Sequence, residues 1–499
     1  MQSNIHFFKY LLRIIILLIL FYYIFQLNYY RHWTSIEDQD FTLIHNSLLL
    51  NSDIRAEYHD HPGHTQILLM SLWLNFLKLL NLIDVSSYDD LNFYNNDKDK
   101  FISLIKYSRF INYFFSVFFA YTFYNIFKII TKNKSISYFY TILLITSYPV
   151  IISIGHLRTE LLSAIFIFLS LLYFIKIAHK NNSLRKHIFL IGFFFVLSIF
   201  SKVQSIFIFL FFPLLTSLIE KKNNKITLNN FELKNAHKIL SLILIFGTFL
   251  IWKKYVQGLN YLILPFFLIY FFFLINYLNN KFFESKQFKF IFTFYFFLGC
   301  CISFILIILP KPFHTNNISI VVNFIGASSM FVQYSNPYNF TFLEFFNFFN
   351  LAFHKYLFYL KEIFFKSSYN EFFLLFINTI LLLFLKNRKK IINYSIIILY
   401  LLTIIFIFSV RPQLNYMIYF TPIIYIYFAF IIKEIQTYKI SILFTIFLIS
   451  VNFYNNLNFI NNRKFITDES RICSQNFLSV NSFFYERMRL ELFPNACGK

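Results

Sequence analysis

Long apolar runs alternate with short polar connections over most of this chain. Runs such as 7–29, 136–154 and 290–309 are each long enough for a helix to cross a bilayer core of about 30 Å. The pattern predicts an all-α integral membrane bundle of about thirteen spans. They fall at 7–29, 104–127, 136–154, 161–175, 188–201, 203–219, 239–252, 258–278, 290–309, 371–385, 391–409, 417–432 and 440–454. Residues 188–219 would reach about 48 Å as one helix at 1.5 Å per residue, so two short spans breaking at SKVQS, around Lys202, fit better. The segment 65–83, TQILLMSLWLNFLKLLNLI, is equally apolar, and its placement decides the topology. No internal repeat and no Pro/Gly linker interrupts the series.

Composition agrees with the pattern. Of 499 residues 58% are hydrophobic and 14% charged, which excludes a soluble enzyme, where roughly 25% would be charged. The 76 Phe and 35 Tyr fit an A/T-rich coding bias and carry little functional information. Eight glycines lead us to expect no glycine-rich helix seams of the kind many transporters use. A net charge of +22 would point to nucleic acid in a soluble protein, but in a membrane the position of charge matters more, and no nucleic-acid partner is expected.

Six Lys-rich connections (128–135, 176–187, 220–238, 279–289, 386–390 and 433–439) hold 21 of the 45 basic residues and four acids, whereas 30–103 holds 11 of the 23 acids. The positive-inside rule makes the six cytoplasmic. With Lys9 and Arg13 holding the N-terminus inside, all six stay inside only if 65–83 lies along the outer interface as a juxtamembrane helix. The expected order is an anchor span 1–29, a first periplasmic loop 30–103, a bundle 104–309, a second outer loop 310–370, spans 371–454 and a periplasmic tail 455–499. The expected location is a bacterial inner membrane, N-terminus cytoplasmic and C-terminus periplasmic. The basic, apolar start has no small-residue cleavage site and reads as an anchor. Cys300 and Cys301 lie in a span and read as packing residues; Cys473 and Cys497 flank the polar tail on the oxidising side, where a disulfide is favoured over two reduced thiols.

Candidate chemistry concentrates in the first outer loop. Glu37, Asp38 and Asp40 follow span 1, and His59, Asp60, His61 and His64 surround Pro62 and Gly63. After Asp40, the apolar positions Phe41, Ile44, Leu48 and Leu49 predict a short amphipathic helix with carboxylates at its start, where they would also serve as plain dipole partners. The histidines lack a zinc spacing; no metal site is assigned and no cofactor is required, although a divalent ion would be compatible. Ionisable groups near span ends extend the set: Arg109, Arg158 and Glu160 in GHLRTE, Lys202, and Arg411 before PQLNYMIYFTP. Such groups are costly at membrane depth and mark function by default, the alternative being snorkelling to headgroups.

Carboxylates opposed to cations at a membrane surface suit sugar transfer from a polyprenyl phosphate. The acceptor hydroxyl needs a base, cations stabilise the departing phosphate, and a phosphate leaves without a general acid. The order of Asp40, SLLLNS and HPGHTQILL resembles the first periplasmic loop of GT-C glycosyltransferases, especially lipid A aminoarabinose transferases and protein O-mannosyltransferases. The resemblance runs through YSRFIN with Arg109, GHLRTE with Glu160 and SKVQS with Lys202, over roughly the first 220 residues by motif order. It implies a GT-C-like bundle and makes Asp40 the catalytic carboxylate, with Glu37 or Asp38 as alternative matches. His61 stands where the family's phosphate-binding Lys precedes Pro, and Gly63 replaces a second Pro, so the phosphate contact falls to His61, His64 or elsewhere. The implied partners are a polyprenyl-phosphate sugar donor, a lipid, glycan or protein acceptor, and membrane lipids. Rival classes are a flippase for a lipid-linked glycan, and a surface-polysaccharide polymerase or ligase working from 310–370.

Overall fold

The computed structural model describes residues 2–30, 40–54, 63–93, 98–179, 183–217, 263–283, 286–308, 369–382, 388–409, 414–435 and 438–464, with short pieces between 350 and 361. All elements among them are helical, and none is a strand. The N-terminal half contains α1 (Gln2–Ile24), α2 (Asp40–Asn51), α3 (His64–Leu79), α4 (Tyr88–Phe93), α5 (Lys98–Arg109), α6 (Ile111–Thr131), α7 (Lys134–Ile145) and α8 (Tyr148–Ile154). It continues with α9 (Thr159–His179), α10 (Leu184–Ser201), α11 (Ile206–Phe209) and α12 (Phe212–Ser217). After them come α13 (Ile263–Phe282), α14 (Lys286–Ile308), α15 (Tyr369–Leu381), α16 (Arg388–Ser409), α17 (Met417–Ile435) and α18 (Tyr438–Lys464).

Seven helical segments among the described residues are long and apolar enough to cross a membrane. They are Tyr10–Tyr29, Ile102–Thr131, Thr159–Ala178, Leu184–Ser201, Phe288–Ile307, Met417–Ile435 and Ile440–Asn461, and they make this a multi-pass membrane protein. An eighth is reached if α7 and α8, bent by 65°, count as one span. The expected count of about thirteen is not confirmed among the described residues, where Ile206–Leu215, Leu268–Asn280 and Tyr394–Ile405 are shorter apolar stretches. The expected span 239–252 lies outside the described residues, as do most of 310–370 and the tail from 465.

The α7–α8 bend has an identifiable cause. Pro149 stands in the first turn of α8 and brings no N–H, while Ser147 is extended (φ −66°, ψ 143°). Carbonyls released there are costly in an apolar bundle. They are met by α18, where Asn456 Nδ2 donates to Thr146 O at 2.8 Å, and by the Thr146 and Ser147 hydroxyls, which bond back to Ile142 O and Leu144 O. Near the bend, Tyr425 of α17 donates to the buried Glu371 of α15 at 3.2 Å.

The helices α9, α10 and α14 form a tight layer. Ser163 and Ser198 exchange side-chain to carbonyl bonds between α9 and α10 at 3.0 and 2.8 Å, and Ser170 reaches Ile191 O at 3.1 Å. Between α10 and α14, a Cβ on Gly192 would lie 2.1 Å from Phe296 O, and one on Gly299 2.1 Å from Phe189 O. The expectation of no glycine seam is therefore corrected: two of the eight glycines meet at a single crossing, and position matters more there than abundance. Cys300, buried beside them, donates to Gly192 O at 3.6 Å.

Chain direction sorts polar features to two ends. The ends of α1, α8 and α10 and the starts of α6, α9 and α17 share one end with residues 155–158. The connections 128–135 and 176–187 then fall at the other. The helix α3, at 16 residues, stays with the first end in both halves. Thr65 Oγ1 donates to Leu197 O of α10 at 3.2 Å, and Trp73 Nε1 donates to Tyr107 O of α5 at 3.1 Å, its ring packing on Phe114. Asn51 Nδ2 donates to Ser86 O at 2.6 Å, so the two ends of this segment lie together. Cysteines at Ile54 and at Ser87, in a chain whose own cysteines are replaced by alanine, should therefore be labelled by an impermeant reagent from the same face. Labelling of the two from opposite faces would show that 65–83 crosses.

Candidate functional site

Asp40 opens α2 and is buried. Burial extends around the whole helix, from Thr42 to Leu50, so α2 is a core element and not the amphipathic surface helix its apolar spacing predicts. Arg109, the last residue of α5, is equally buried and donates from Nε to Asp40 Oδ2 at 3.1 Å. The other carboxylate oxygen accepts from the backbone N–H of Leu157 at 2.9 Å. Two buried charges at this depth are tolerable only as a hydrogen-bonded pair, and Arg109 Nη1 also reaches Asn28 O at 3.4 Å.

The turn between α8 and α9 is held by three side chains from other elements. Asn112 Nδ2 donates to Ile154 O at 2.9 Å and His156 O at 2.7 Å. Asn28, turned inward by the π-helical end of the first span (Phe25–Tyr29), donates to Ile154 O at 3.1 Å. Asp40 supplies the third contact through Leu157. The turn thereby sets the positions of the next residues, Arg158 and Glu160.

Glu160 lies in the first turn of α9, where the helix dipole favours a carboxylate. It is buried and faces cations from two directions: Arg158 at 3.3 Å (Nη2 to Oε1) and 3.4 Å (Nε to Oε2), and Lys202 Nζ at 3.3 Å from Oε1. Lys202 reaches it because α10 stops at Ser201 and residue 202 is extended (φ −159°, ψ 120°), as the break expected at SKVQS requires. Its ammonium also sits 5.8 Å from the centre of the Tyr416 ring. Asn415, with its amide oxygen turned toward Arg158, accepts from Nη1 at 2.9 Å and Nε at 3.1 Å.

His64 opens α3 and is buried with its ring 6.4 Å from that of Phe200, two residues before Lys202. The structure thus joins Asp40 to Arg109 and Glu160 to Arg158 and Lys202, links the two groups through the 155–158 turn, and packs His64 of α3 against Phe200 near the end of α10. Glu37, Asp38, His61, Arg411, Cys473 and Cys497 lie outside the described residues. Asn28, Asn112 and Asn415 belong to the arrangement although sequence reasoning passed over them; their signal was an amide within or beside an apolar run. No group of three or more His, Cys, Asp or Glu placed to hold a metal occurs among the described residues.

Chemically, a buried carboxylate between a guanidinium and an ammonium at a bundle end offers a base and two anion-binding donors within one reach. Comparison with family models, curated proteins and solved structures returned no match.

Proposed function

We infer that the protein is a GT-C-type glycosyltransferase of the membrane, moving a sugar from a polyprenyl-phosphate donor to a lipid, glycan or protein acceptor. The observation that supports this reading is the convergence of Arg158 and Lys202 on Glu160, buried at one end of a membrane bundle. In the reaction, the two cations turn to the donor phosphate and release Glu160. The Glu160 carboxylate takes the proton of the acceptor hydroxyl. The acceptor oxygen bonds to the anomeric carbon from the face opposite the phosphate, and the carbon–oxygen bond to phosphate breaks with its electron pair on the leaving group. The product has inverted configuration, and Arg158 and Lys202 hold the departing charge. Asp40, which meets only the buried Arg109 and the Leu157 N–H and not the cations assigned to the phosphate, acts as a positioning residue through the turn that carries Arg158. The site end is then the outer face, and the Lys-rich end the cytoplasmic one.

A carrier for a lipid-linked glycan is the second reading. The bent span at α7–α8, with polar groups buried around it, favours it, because carriers build sites on discontinuous helices. Extraction of lipid-linked and surface glycans from cells with and without the protein separates the two. Loss of one sugar from an otherwise complete product, with its polyprenyl-phosphate donor accumulating, is the expected result. A complete lipid-linked glycan retained on the cytoplasmic face would replace transfer with transport.

A further inference from the structure

At the end of the bundle opposite Glu160, cations from three helices come together, two of them over aromatic rings. Lys128 ends α6, Lys176 lies near the end of α9, and Lys186 lies in the first turn of α10. Lys128 Nζ sits 6.0 Å from the Tyr124 ring centre, and Lys176 Nζ sits 4.6 Å from that of Tyr173. Tyr173 in turn packs on His187 of α10 at 5.6 Å, tying α9 to the start of α10. Lys176 is close enough to both Lys128 and Lys186 for their charges to act on it.

No Asp or Glu occurs in 128–135 or 176–187, and none of the three lysines has an ion pair among the described residues. The contrast is with Lys78, which meets Asp90 at 2.7 Å. Like charges gathered without a counter-charge repel one another, and an anion between them would remove that cost. The exposed side of α6 supplies the apolar complement: Phe118 and Tyr121 are exposed at helical spacing and lead toward Lys128. A mobile soluble anion would have no use for such a track.

We propose that this end binds an anionic phospholipid of the surrounding bilayer, its phosphate among Lys128, Lys176 and Lys186 and an acyl chain along Phe118 and Tyr121. The site lies at the far end of the bundle from Glu160 and is independent of the transfer reaction. Each basic residue beside an anionic headgroup is worth roughly fivefold in affinity, so three together supply roughly a hundredfold.

The test is native mass spectrometry of the full chain in neutral detergent, titrated with phosphatidylglycerol and, separately, with phosphatidylcholine of the same chains. Phosphatidylglycerol should bind preferentially. The triple variant K128Q/K176Q/K186Q should weaken it by roughly a hundredfold, and K128R/K176R/K186R should retain it. K132Q/K134Q, which removes two lysines of the neighbouring connection, should change it by less than about twofold if the three-helix cluster is the site. If the glutamine triple fails to fold, Lys128→Gln alone, at an exposed position, should still show roughly a fivefold loss. Equal binding of the two lipids, or undiminished phosphatidylglycerol binding by the glutamine variants, would overturn the site. Displacement of the lipid by inorganic phosphate at matched ionic strength, or stronger retention of a polyprenyl phosphate, would overturn the phospholipid assignment.

Discussion

Glu160→Gln should reduce turnover per folded molecule by roughly 10²–10⁴-fold, the range a positioned general base contributes. The amide keeps the shape of the side chain and one acceptor oxygen but cannot take a proton. Donor binding should survive better than turnover, because Arg158 and Lys202 remain and lose only a competitor for their charge. The measurement is sugar transfer by reconstituted protein, normalised to the folded fraction, alongside donor binding. Turnover within about threefold of the wild type would remove Glu160 from the chemistry, where a base is expected to matter by far more.

The second large effect concerns stability. Asp40→Asn should lower it by about 3–5 kcal/mol, because it leaves the Arg109 guanidinium buried without its charge partner. An expectation drawn from the resemblance alone would have this variant fold normally and lose activity by roughly 10² as the missing base. The buried pair argues otherwise: abundance and thermal midpoint should fall first, with turnover per folded molecule reduced by less than about tenfold, well below the loss of a base. The double variant Asp40→Leu with Arg109→Met should recover part of the loss, since apolar residues of similar volume replace buried pairs at little cost. A stable Asp40→Asn chain that binds donor yet transfers nothing would return the base to Asp40.

Much of the site was legible because charge is conspicuous in so apolar a chain. Arg109, Arg158, Glu160 and Lys202 stand out in runs of Phe, Ile and Leu, and the cost of burying them makes mutual pairing the natural outcome. The break at Lys202 followed from length alone. Pair assignment was not legible: nothing in the spacing says that Asp40 meets Arg109, 69 residues away, or that both its oxygens are taken. The amides of Asn28, Asn112 and Asn415 stayed hidden because an Asn in an apolar run reads equally well as a helix-end residue. The bend at Pro149 was not legible either, since hydropathy records that the run 136–154 is apolar but not that it turns by 65° between α7 and α8.

The glycine crossing sets where the molecule can move. Gly192 and Gly299 bring the backbones of α10 and α14 into direct contact, and the Ser163–Ser198 exchange fastens α10 to α9. Glu160 lies in the first turn of α9 and Lys202 follows α10, so the separation of their backbones is set by a layer that has little room to slide. On the proposed function, a long isoprenoid donor entering from the bilayer meets backbones already set at their working distance, and it is the side chains of Arg158 and Lys202, not the helices, that turn to receive its phosphate.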